Sequence, residues 1–506
     1  MVANIERSVK KRIMGLAPSV TLGEIAIIPK YSNVNPSDTD AVDLGIDIGP
    51  VHLNIPLLSA AMDTVTGPDM ALALSELGGC GVIYRHRSAK QQLEWIEDAL
   101  SRKWCMVSNP KCLTPADTLD EVQIILKKYG FSTIPIIDES NVLRGVLFTR
   151  DIVFKEHERD PVSKWMKPLE SLKMESASTP FSKIRDRLLN EQECSVLPIL
   201  NGGNRLVGMY FMKDVIHANP SEHNGKPLVG MAIGVHDEDC VRVKEALKMG
   251  VGMIVIDSSH GDCTAVIQQT ARIKKIVGNK AALIAGNVAD VDGGGFWRLA
   301  GAGADGVKVG IGSGSICTTP QQTGATLGMA TALFAANAAR DDLRIKRETI
   351  PRTLPAVAEK KTPKIIADGG INFPGDAVKA IACGAHAIMA GKWLAGARES
   401  QACVEYGVGR DGLIPYRGMA SQEAIDERTS DRYGKKKTGA EGVSGFVAYR
   451  GPLKKWLPDD LSVMRSGFAH VDAASIGELR THGMREDALT QFTAAGLEQS
   501  AVRVKQ

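Results

Sequence analysis

The stretch GAGADGVKVGIGSGSICTT, residues 301–319, contains the pattern that decides the fold. After a turn of small residues, Val307, Val309 and Ile311 alternate as in a strand. The strand runs into glycines and serines, where the absence of Cβ atoms lets backbone N–H groups approach an anion. The lone Cys317 follows this loop, and backbone donors nearby would favour its thiolate form. The stretch therefore predicts a strand that ends in a phosphate-binding loop with a nucleophilic cysteine beside it.

Four other apolar runs of the chain end in the same way, in polar residues or glycine. The runs and the residues that follow them are Met253–Ile256 before Asp257-Ser258-Ser259, Ala282–Ala285 before Gly286-Asn287, Lys364–Ala367 before Asp368-Gly369-Gly370, and Ala387–Met389 before Ala390-Gly391. Helical patterns separate these runs, which is typical of parallel strands joined by crossovers. A (β/α)8 barrel builds its active site from many strand ends, whereas a doubly wound open sheet uses one crevice. The sequence therefore predicts an α/β protein with a TIM barrel and favours it over the open sheet.

The bulk composition excludes several classes of protein. Over 506 residues, 61 Lys and Arg nearly balance 58 Asp and Glu, so a net charge of +3 favours neither nucleic acid nor a membrane as the main partner. The nine cysteines lack CxxC spacing, which is typical of reduced thiols rather than of disulfides or a zinc site. No apolar run approaches the ~18 residues of a membrane span. We expect a cytoplasmic protein with several domains.

An internal repeat interrupts the strand and helix pattern between residues 103 and 217. The sequence TIPIID at residues 133–138 is echoed by VLPILN at residues 196–201. Three residue types recur at one offset (198 − 135 = 63), namely Pro135 and Pro198, Gly145 and Gly208, and Asp151 and Asp214. Each copy predicts a helix, a strand, a turn and a second strand leading to an aspartate-capped helix. The repeat therefore predicts a module inserted into a loop of the barrel.

This repeat resembles a tandem CBS (Bateman) module, which in its family binds adenine or guanine nucleotides in a shared cleft. The family's Thr-x-Asp motif contacts ribose, which implies a regulatory nucleotide site at Thr149 and Asp151. In the second copy Asp214 is present but Met212 replaces the hydroxyl, so ATP or GTP is expected at one site rather than at both. The alternative is that the aspartates only cap their helices.

The predicted domain boundaries follow from the position of the repeat. The catalytic barrel would comprise residues 1–102 and 221–506, and the tandem CBS module residues 103–220, with halves at about 103–160 and 165–220.

The chain as a whole resembles the IMP dehydrogenase and GMP reductase family, and it is closest to the dehydrogenases. The resemblance extends from about residue 28 to residue 500. Its most specific motifs are Gly312–Thr319, Ala367–Ile371, Tyr416–Met419 and Asp431–Tyr433, and Ser59–Val65 agrees with them. The resemblance implies an NAD-dependent oxidoreductase that converts IMP to XMP in guanine nucleotide synthesis. It also implies a homotetramer that can pair into octamers.

The resemblance implies a set of residues that hold the nucleotide. Backbone amides near Ser315, Gly370 and Gly391 would surround the 5′-phosphate, and Asp368 would accept hydrogen bonds from the ribose hydroxyls. The other implied substrate contacts are Met62, Tyr416, Gly418, Met419 and Glu441. The alternative for the glycines is that they only make tight turns between strands and helices.

Cys317 is the implied nucleophile, because thiolate addition gives the purine C2 the tetrahedral centre from which a hydride can leave. Thr319, Arg432 and Tyr433 resemble the groups that activate water in this family. The last two lie on a polar segment, residues 427–442, that we expect to act as a mobile flap. The alternative for Arg432 is a position in a solvated basic loop.

The resemblance also implies two small ligands besides the nucleotide. Asp257, Ser258, Ser259 and Asn287 would meet the nicotinamide and ribose of NAD. The main-chain carbonyls of three residues would hold K⁺, since carbonyl oxygens suit hard cations, and these residues are Gly312, Gly314 and Cys317. Glu498-Gln499 departs from the family's second cation half-site, which weakens the expectation of K⁺.

Two other functions stay open at this point. The short separation between Tyr433 and Glu441 favours a GMP reductase, which deaminates GMP to IMP with NADPH and in which Thr319 and Glu441 would handle ammonia. The segment that begins at Asp257, together with Arg432-Tyr433, favours the dehydrogenase. A catalytically silent nucleotide sensor is the third alternative. Lys392 follows Gly391 where the dehydrogenases usually have serine, and the two alternatives for it are a direct contact with phosphate and a side chain that points away.

Overall fold

The structure is a computed structural model that describes residues 19–35, 38, 41–85, 88–152, 159–191, 194–341, 362–426 and 439–492. The chain divides into two compact units. One comprises the residues up to Arg102 and those from Asn219 onward, and the other comprises Lys103–Ala218. Among the described residues, no helix has the length and apolarity needed to cross a membrane.

The first unit contains a closed barrel of eight parallel strands. In chain order these are β1 (Leu57–Ser59), β2 (Cys80–Ile83), β3 (Val229–Ile233), β4 (Met253–Asp257), β5 (Ala282–Val288), β6 (Gly306–Val309), β7 (Lys364–Asp368) and β8 (Ala387–Ala390). The barrel closes where β8 pairs with β1, with Met389 opposite Leu58. The prediction of a (β/α)8 barrel is therefore confirmed, and the open sheet is wrong because no strand of this sheet is left at an edge.

Two strand boundaries differ from the sequence expectation. β6 ends at Val309, so Ile311 is not part of it, because Gly310 leaves the extended conformation with a φ of 133°. β5 continues to Val288, so Gly286 and Asn287 lie in the strand rather than after it. The register between β5 and β6 shifts at this point, which is how the strand accommodates the additional residue.

Helices connect the strands of the barrel and pack around it. Among the described residues of this unit the α-helices are Pro68–Glu76, Ala89–Ser101, Asp237–Met249, Thr264–Val277, Gly294–Gly301, Thr319–Thr323, Met329–Asp341, Pro374–Ala382, Lys392–Ala395, Gln401–Tyr406, Gln422–Asp426, Leu453–Ala469 and Ile476–Gly483. A 3₁₀ turn covers Leu22–Glu24. Local chemistry sets these boundaries: Asp237–Met249 begins with three acidic residues and ends at Gly250 in the left-handed region.

The core has two layers because successive strand residues point to opposite sides of the sheet. The interior of the barrel is filled by side chains such as Leu58, Val82 and Ile284. The outer layer lies between strands and helices and includes Val307 and Val309 of β6. Those two valines face outward, so Lys308 between them faces the interior of the barrel.

Short antiparallel pairs complete the first unit. They are Ile25–Ile27 with Leu489–Gln491, Ile46–Ile48 with Val51–Leu53, Glu222–His223 with Lys226–Pro227, and Leu413–Arg417 with Ser444–Ala448. Ile48 and Leu53 extend the inner apolar cluster of the barrel. The Leu413–Arg417 pair has a different importance, because it leads into the residues that border the candidate site.

The second unit contains the two copies of the sequence repeat. The first copy has a helix at Leu119–Tyr129 and strands at Thr133–Ile137 and Leu143–Phe148, and the second has Phe181–Asn190, Val196–Leu200 and Leu206–Phe211. The remaining elements are strands Lys167–Pro168 and Glu175–Ser176, the 3₁₀ turns Thr149–Asp151, Val162–Lys164 and Leu169–Ser171, and the short helix Met212–Val215. The two copies share an apolar cluster that contains Val146 and Met209.

The aspartates of the repeat are not helix caps. Phe148 and Phe211 occupy the N-cap positions, and Asp151 and Asp214 lie in the first turn that follows each. An acidic residue in the first turn is favourable without capping a backbone N–H. The expectation of aspartate-capped helices is therefore wrong, because each turn begins directly where its strand ends.

Candidate active site

A cavity of about 210 Å³ opens at the carboxyl ends of the barrel strands. Its lining includes every predicted catalytic, substrate, cofactor and cation residue that the structure describes. These are Met62, Asp257, Ser258, Ser259, Asn287, Gly312, Gly314, Ser315, Cys317, Thr319, Asp368, Gly370, Gly391, Tyr416, Gly418, Met419 and Glu441. Residues that are distant in the sequence thus surround one space, as expected for parallel strands that end at one face.

Some predicted residues lie elsewhere. Arg432, Tyr433 and Glu498-Gln499 lie outside the described residues. The three predicted regulatory residues belong to the second unit. There, the Thr149 hydroxyl donates a hydrogen bond to the carbonyl of Ser132 at 3.2 Å, and Asp151 lies 3.7 Å from Arg150. Asp214 lies in the helix Met212–Val215.

Backbone hydrogen bonds fix the loop that contains Cys317. The N–H of Cys317 donates to the carbonyl of Gly314 at 3.0 Å, which closes a tight turn. The N–H of Thr318 donates to the carbonyl of Glu441 at 2.9 Å, and the N–H of Val443 donates to the carbonyl of Ile316 at 3.0 Å. The cysteine loop is therefore paired with the segment 441–443, and within that pairing Cys317 forms an antiparallel β-bridge with Gly442.

A chain of hydrogen bonds leads from the thiol to a carboxylate. The Sγ of Cys317 lies 3.2 Å from the Thr319 hydroxyl, which donates in turn to Oε2 of Glu441 at 3.2 Å. Thr319 is 9% exposed and follows Cys317 by two residues, at the first turn of a short helix. A buried hydroxyl between a nucleophile and a carboxylate can pass a proton in either direction.

Glycines allow the loops to approach one another closely. Gly369 has a φ of 97°, and a Cβ on it would lie 2.9 Å from the backbone N of Gly314 and 2.5 Å from the Ser313 hydroxyl. A Cβ on Gly391 would lie 2.9 Å from the Tyr416 hydroxyl. The positive φ and the nearby backbone require glycine at position 369, and a side chain at position 391 would displace the Tyr416 hydroxyl, so main chain borders the cavity at both positions, as an anion-binding loop requires.

Tyr416 lines the cavity opposite the loop of small residues, Gly310–Ser315. Burial raises the pKa of Tyr416 to about 12, although a hydrogen bond with the Ser315 side chain acts in the opposite direction. The phenol therefore stays neutral near pH 7 and can donate a hydrogen bond. An ion pair anchors the strand that contains it, because Arg417 lies 2.8 Å from the nearly buried Asp63.

The ends of three strands meet at one buried ammonium group. Lys308 Nζ lies 2.7 Å from Oδ1 of Asp257 and 3.1 Å from Oδ2 of Asp368. Burial alone would lower the pKa of Lys308, but the two carboxylates outweigh it, and the net shift is upward. Sequence reasoning missed this residue, although a charged residue at an inward-facing strand position was a signal that could have identified it.

Asn287 joins the same group of side chains. Its Nδ2 donates to Asp368 Oδ2 at 2.9 Å and to the carbonyl of Gly310 at 2.8 Å. Oδ2 of Asp368 therefore has two donors. Within the described part of the chain Asp368 Oδ1 has no hydrogen-bond partner, which leaves it available to a ligand in the cavity. The Ser258 hydroxyl instead donates to the carbonyl of Gly286 at 2.7 Å.

The other lysine of the cavity is Lys392. It begins the helix Lys392–Ala395 directly after Gly391, and it is exposed. In contrast to Lys308, it forms no ion pair with any residue that the structure describes. Cys80 and Cys383 are fully buried in the core, and burial raises the pKa of Cys383 to about 12.

Comparisons with known proteins agree with this geometry. A family model described as "IMP dehydrogenase / GMP reductase domain" matches residues 19–503. The inosine-5′-monophosphate dehydrogenase of Staphylococcus aureus (strain Mu50) is 35% identical over 496 residues, which is 95% of this chain and 95% of the relative. The same figures hold for the enzyme of strain USA300.

Solved structures of similar fold include a GMP reductase. A cysteine-to-alanine variant of this enzyme from Trypanosoma brucei, in complex with guanosine 5′-monophosphate, superposes with a TM-score of 0.65 at 26% identity. The match covers 98% of this chain and all of the other. The match to the family model and the identity to the curated enzymes both extend over nearly the whole chain. The chain therefore belongs to the IMP dehydrogenase and GMP reductase family of oxidoreductases.

Proposed function

We propose that the protein is an IMP dehydrogenase, which oxidises IMP to XMP with NAD through a covalent adduct on Cys317. The observation that carries the proposal is the hydrogen-bonded series Cys317, Thr319 and Glu441, which borders one cavity with the loop of small residues and Asp368. The choice of the dehydrogenase is supported by the 35% identity to curated IMP dehydrogenases.

The nucleotide would bind with its phosphate at the loop of small residues. Gly370, Gly391 and the backbone near Ser315 offer donors there, and Lys392 adds a cation. Oδ1 of Asp368 would accept hydrogen bonds from the ribose hydroxyls. Met62, Tyr416, Gly418 and Met419 would border the ribose and base, and a carboxylate at Glu441 can accept a purine N–H.

The chemistry begins with the thiolate of Cys317. Its sulfur forms a bond to C2 of the purine and breaks the C2–N π bond, so that C2 becomes tetrahedral. The C2–N π bond re-forms as the hydride leaves C2, and bound NAD would supply the hydride acceptor. The product of this first half is a thioimidate between Cys317 and the nucleotide. The role of the protein so far is to hold C2 against the sulfur and to keep water away from it.

Hydrolysis then releases the product. Water attacks C2, the C2–S bond breaks, and the sulfur returns as the thiolate while XMP leaves. A proton must leave the attacking water, and the Thr319 hydroxyl can accept it while donating its own proton to Glu441. Arg432 and Tyr433 are proposed to share in this step, from a flap that covers residues 427–442.

The residues proposed for NAD lie where a nicotinamide would have to bind. Asp257, Ser258, Ser259 and Asn287 line the same cavity as Cys317, so a nicotinamide beside them is near the reacting carbon. In addition, the buried Oδ1 of Asn287 has no partner among the described residues, which leaves an acceptor for an amide N–H.

We also propose a K⁺ site at the loop of Cys317. The donors would be the carbonyls of Gly312, Gly314 and Cys317, which are neutral oxygens suited to a monovalent cation. The turn at Gly314, whose carbonyl accepts the Cys317 N–H, is compatible with this because a carbonyl oxygen has a second lone pair. Replacing K⁺ by Na⁺ in the assay tests it, and equal rates would exclude the requirement.

The second candidate function is GMP reductase. The contact between Thr319 and Glu441 favours it, since the same pair could protonate departing ammonia. The similarity to the GMP reductase of Trypanosoma brucei also supports it. In that case NADPH would deliver the hydride and GMP would become IMP.

An absorbance assay in the band of reduced nicotinamide separates the two candidates. IMP with NAD raises the absorbance if the protein is the dehydrogenase, whereas GMP with NADPH lowers it if the protein is the reductase. No change with either pair, in the presence of K⁺, would exclude both functions and leave the nucleotide sensor.

We further propose that residues 103–218 form a tandem CBS module that binds ATP or GTP through Thr149 and Asp151, with Asp214 in the second copy. The repeated helix-strand-strand order and the shared apolar cluster support this. A cytoplasmic homotetramer, which can pair into octamers, is the assembly that we propose by analogy with the family.

A further inference from the structure

Lys308 has an unusual environment for a lysine. Its side chain is 1% exposed, and it projects from β6 into the interior of the barrel. Burying an ammonium group is costly unless the charge is paired, because the low-dielectric interior replaces its hydration poorly. The two carboxylates at 2.7 Å and 3.1 Å supply that pairing. The charge at this position therefore calls for a role, since an apolar side chain would pack there at lower cost.

The two carboxylates come from separate parts of the barrel. Asp257 ends β4 and is followed by Ser258 and Ser259, whereas Asp368 ends β7. The strand order β4-β5-β6-β7 puts two strands between them, and Lys308 is on one of these. One ammonium thus connects the part of the cavity assigned to the cofactor with the part assigned to the nucleotide.

Asp368 shows how the network could orient a ligand-binding group. Lys308 and Asn287 both donate to its Oδ2, so the carboxylate cannot rotate without losing two hydrogen bonds. Its Oδ1 is thereby directed to the remaining space, which is the cavity. Asp257 is held by the same ammonium through its Oδ1.

We propose that Lys308 is a positioning residue that fixes the orientations of Asp257 and Asp368, and thereby couples the nucleotide half of the cavity to the cofactor half. This inference rests on the proposed function for the names of the two halves. Without the ammonium, the two carboxylates would repel each other, and Oδ2 of Asp368 would keep only Asn287 as a donor, so the carboxylate would lose its fixed orientation. Asp368 would then be a poorer acceptor for the ribose, although no atom in contact with the ligand had been removed.

The test compares Lys308→Met with the double variant Lys308→Met/Asp257→Asn, which removes one positive and one negative charge. Lys274→Met is the matched control, because Lys274 pairs with both oxygens of Asp305 at 2.9 Å outside the cavity. IMP affinity is measured by calorimetry, the KM for NAD by turnover, and folding by the melting temperature. We expect the single variant to bind IMP about 100-fold more weakly, since Asp257 and Asp368 lose the cation that they share.

The double variant should recover IMP affinity by about tenfold, because the repulsion is relieved. Its KM for NAD should be raised, as in the single variant, because the cofactor contact of Asp257 is not restored. The control should change IMP affinity by less than about twofold. Full IMP affinity in the single variant, or no recovery in the double variant, overturns the proposal. If neither Lys308 variant folds, the proposal is also overturned, because the lysine would then be needed for folding rather than for positioning. If the unaltered protein binds neither IMP nor GMP, the proposed function is what has failed.

Discussion

The hydroxyl of Thr319 lies 3.2 Å from Oε2 of Glu441, although 122 positions separate the two residues in the sequence. The contact exists because the loop of Cys317 pairs through its backbone with residues 441–443. The nucleophile, the hydroxyl and the carboxylate therefore form one unit. This unit can remove a proton from water or give one to a leaving amine, so it serves either of the reactions of the family.

Replacing Cys317 by alanine should lower the turnover rate about a thousandfold or more, because the tetrahedral centre at C2 could no longer form through sulfur. IMP binding should remain measurable by calorimetry, since the phosphate and ribose contacts are elsewhere in the cavity. Cys240→Ala, in the helix Asp237–Met249, is the control and should retain activity. Substantial turnover by the Cys317 variant would exclude covalent catalysis.

Thr319→Val should slow release of the product more than formation of the adduct, by roughly 100-fold, which is a common contribution of general acid–base catalysis. Mass spectrometry of the enzyme during turnover should then reveal an adduct of nucleotide mass on Cys317. Thr318→Val, one residue earlier and not among the residues that line the cavity, is the matched control. Equal slowing of both half-reactions would count against a proton-relay role for Thr319.

Lys392→Met should raise the KM for IMP by about tenfold, as expected for the loss of one charge-assisted contact with phosphate. The same change should leave the reaction of inosine, which lacks the phosphate, nearly unaltered. Lys280→Met provides the control, because Lys280 is exposed just before the amino end of β5, at the opposite end of the barrel. A lysine that points away from the phosphate would give the same KM for IMP in both variants.

Asp290 gives a prediction for stability against pH. Burial raises the pKa of Asp290 to about 6, and the neighbouring Asp292 adds to the shift. Asp290 therefore binds a proton more tightly in the folded protein than in the unfolded chain. Its contribution to the free energy of unfolding is present at low pH and is lost as the pH rises from about 4 to about 6. Asp290→Asn should raise the melting temperature at pH 7.5 and leave it unchanged near pH 4.

Asp292→Asn should act in the opposite direction. A hydrogen bond from the Asp290 side chain lowers the pKa of Asp292, so its carboxylate stabilises the fold above the usual aspartate pKa. This variant should melt at a lower temperature near pH 5, where Asp290 still holds its proton and the Asp292 carboxylate accepts it. Shifts of the same sign in both variants would show that the two carboxyl groups do not share a proton.

Binding of ATP or GTP to the second unit should change the sedimentation coefficient or the rate of the protein. Asp151→Asn should weaken that response about tenfold, because the aspartate would no longer accept two hydroxyls of the ribose. Asp186→Asn, on the helix Phe181–Asn190, is a control with the same change of charge. Sedimentation and rates that ignore both nucleotides would remove the regulatory proposal.

The sequence by itself determined the barrel and most of the residues that line the cavity. Alternation within strands is local, and so is the change to glycine or a polar side chain where a strand ends; Asp257 and Asp368 are readable in this way. Parallel strands joined by helices must end at one face, so such residues could be grouped without coordinates. The repeat at residues 103–217 was also readable, because an offset of 63 positions needs no structure.

Only the tertiary structure decided how these residues meet. The contact of Thr319 with Glu441 depends on pairing between distant loops, which no local pattern specifies. The role of Lys308 depends on Asp257 and Asp368, which lie on β4 and β7. Within the sequence of β6, Lys308 is only a charged residue between two valines. The physical reason is that a strand sequence records which side of the sheet a residue faces, whereas the partner it finds there is set by the closure of the barrel.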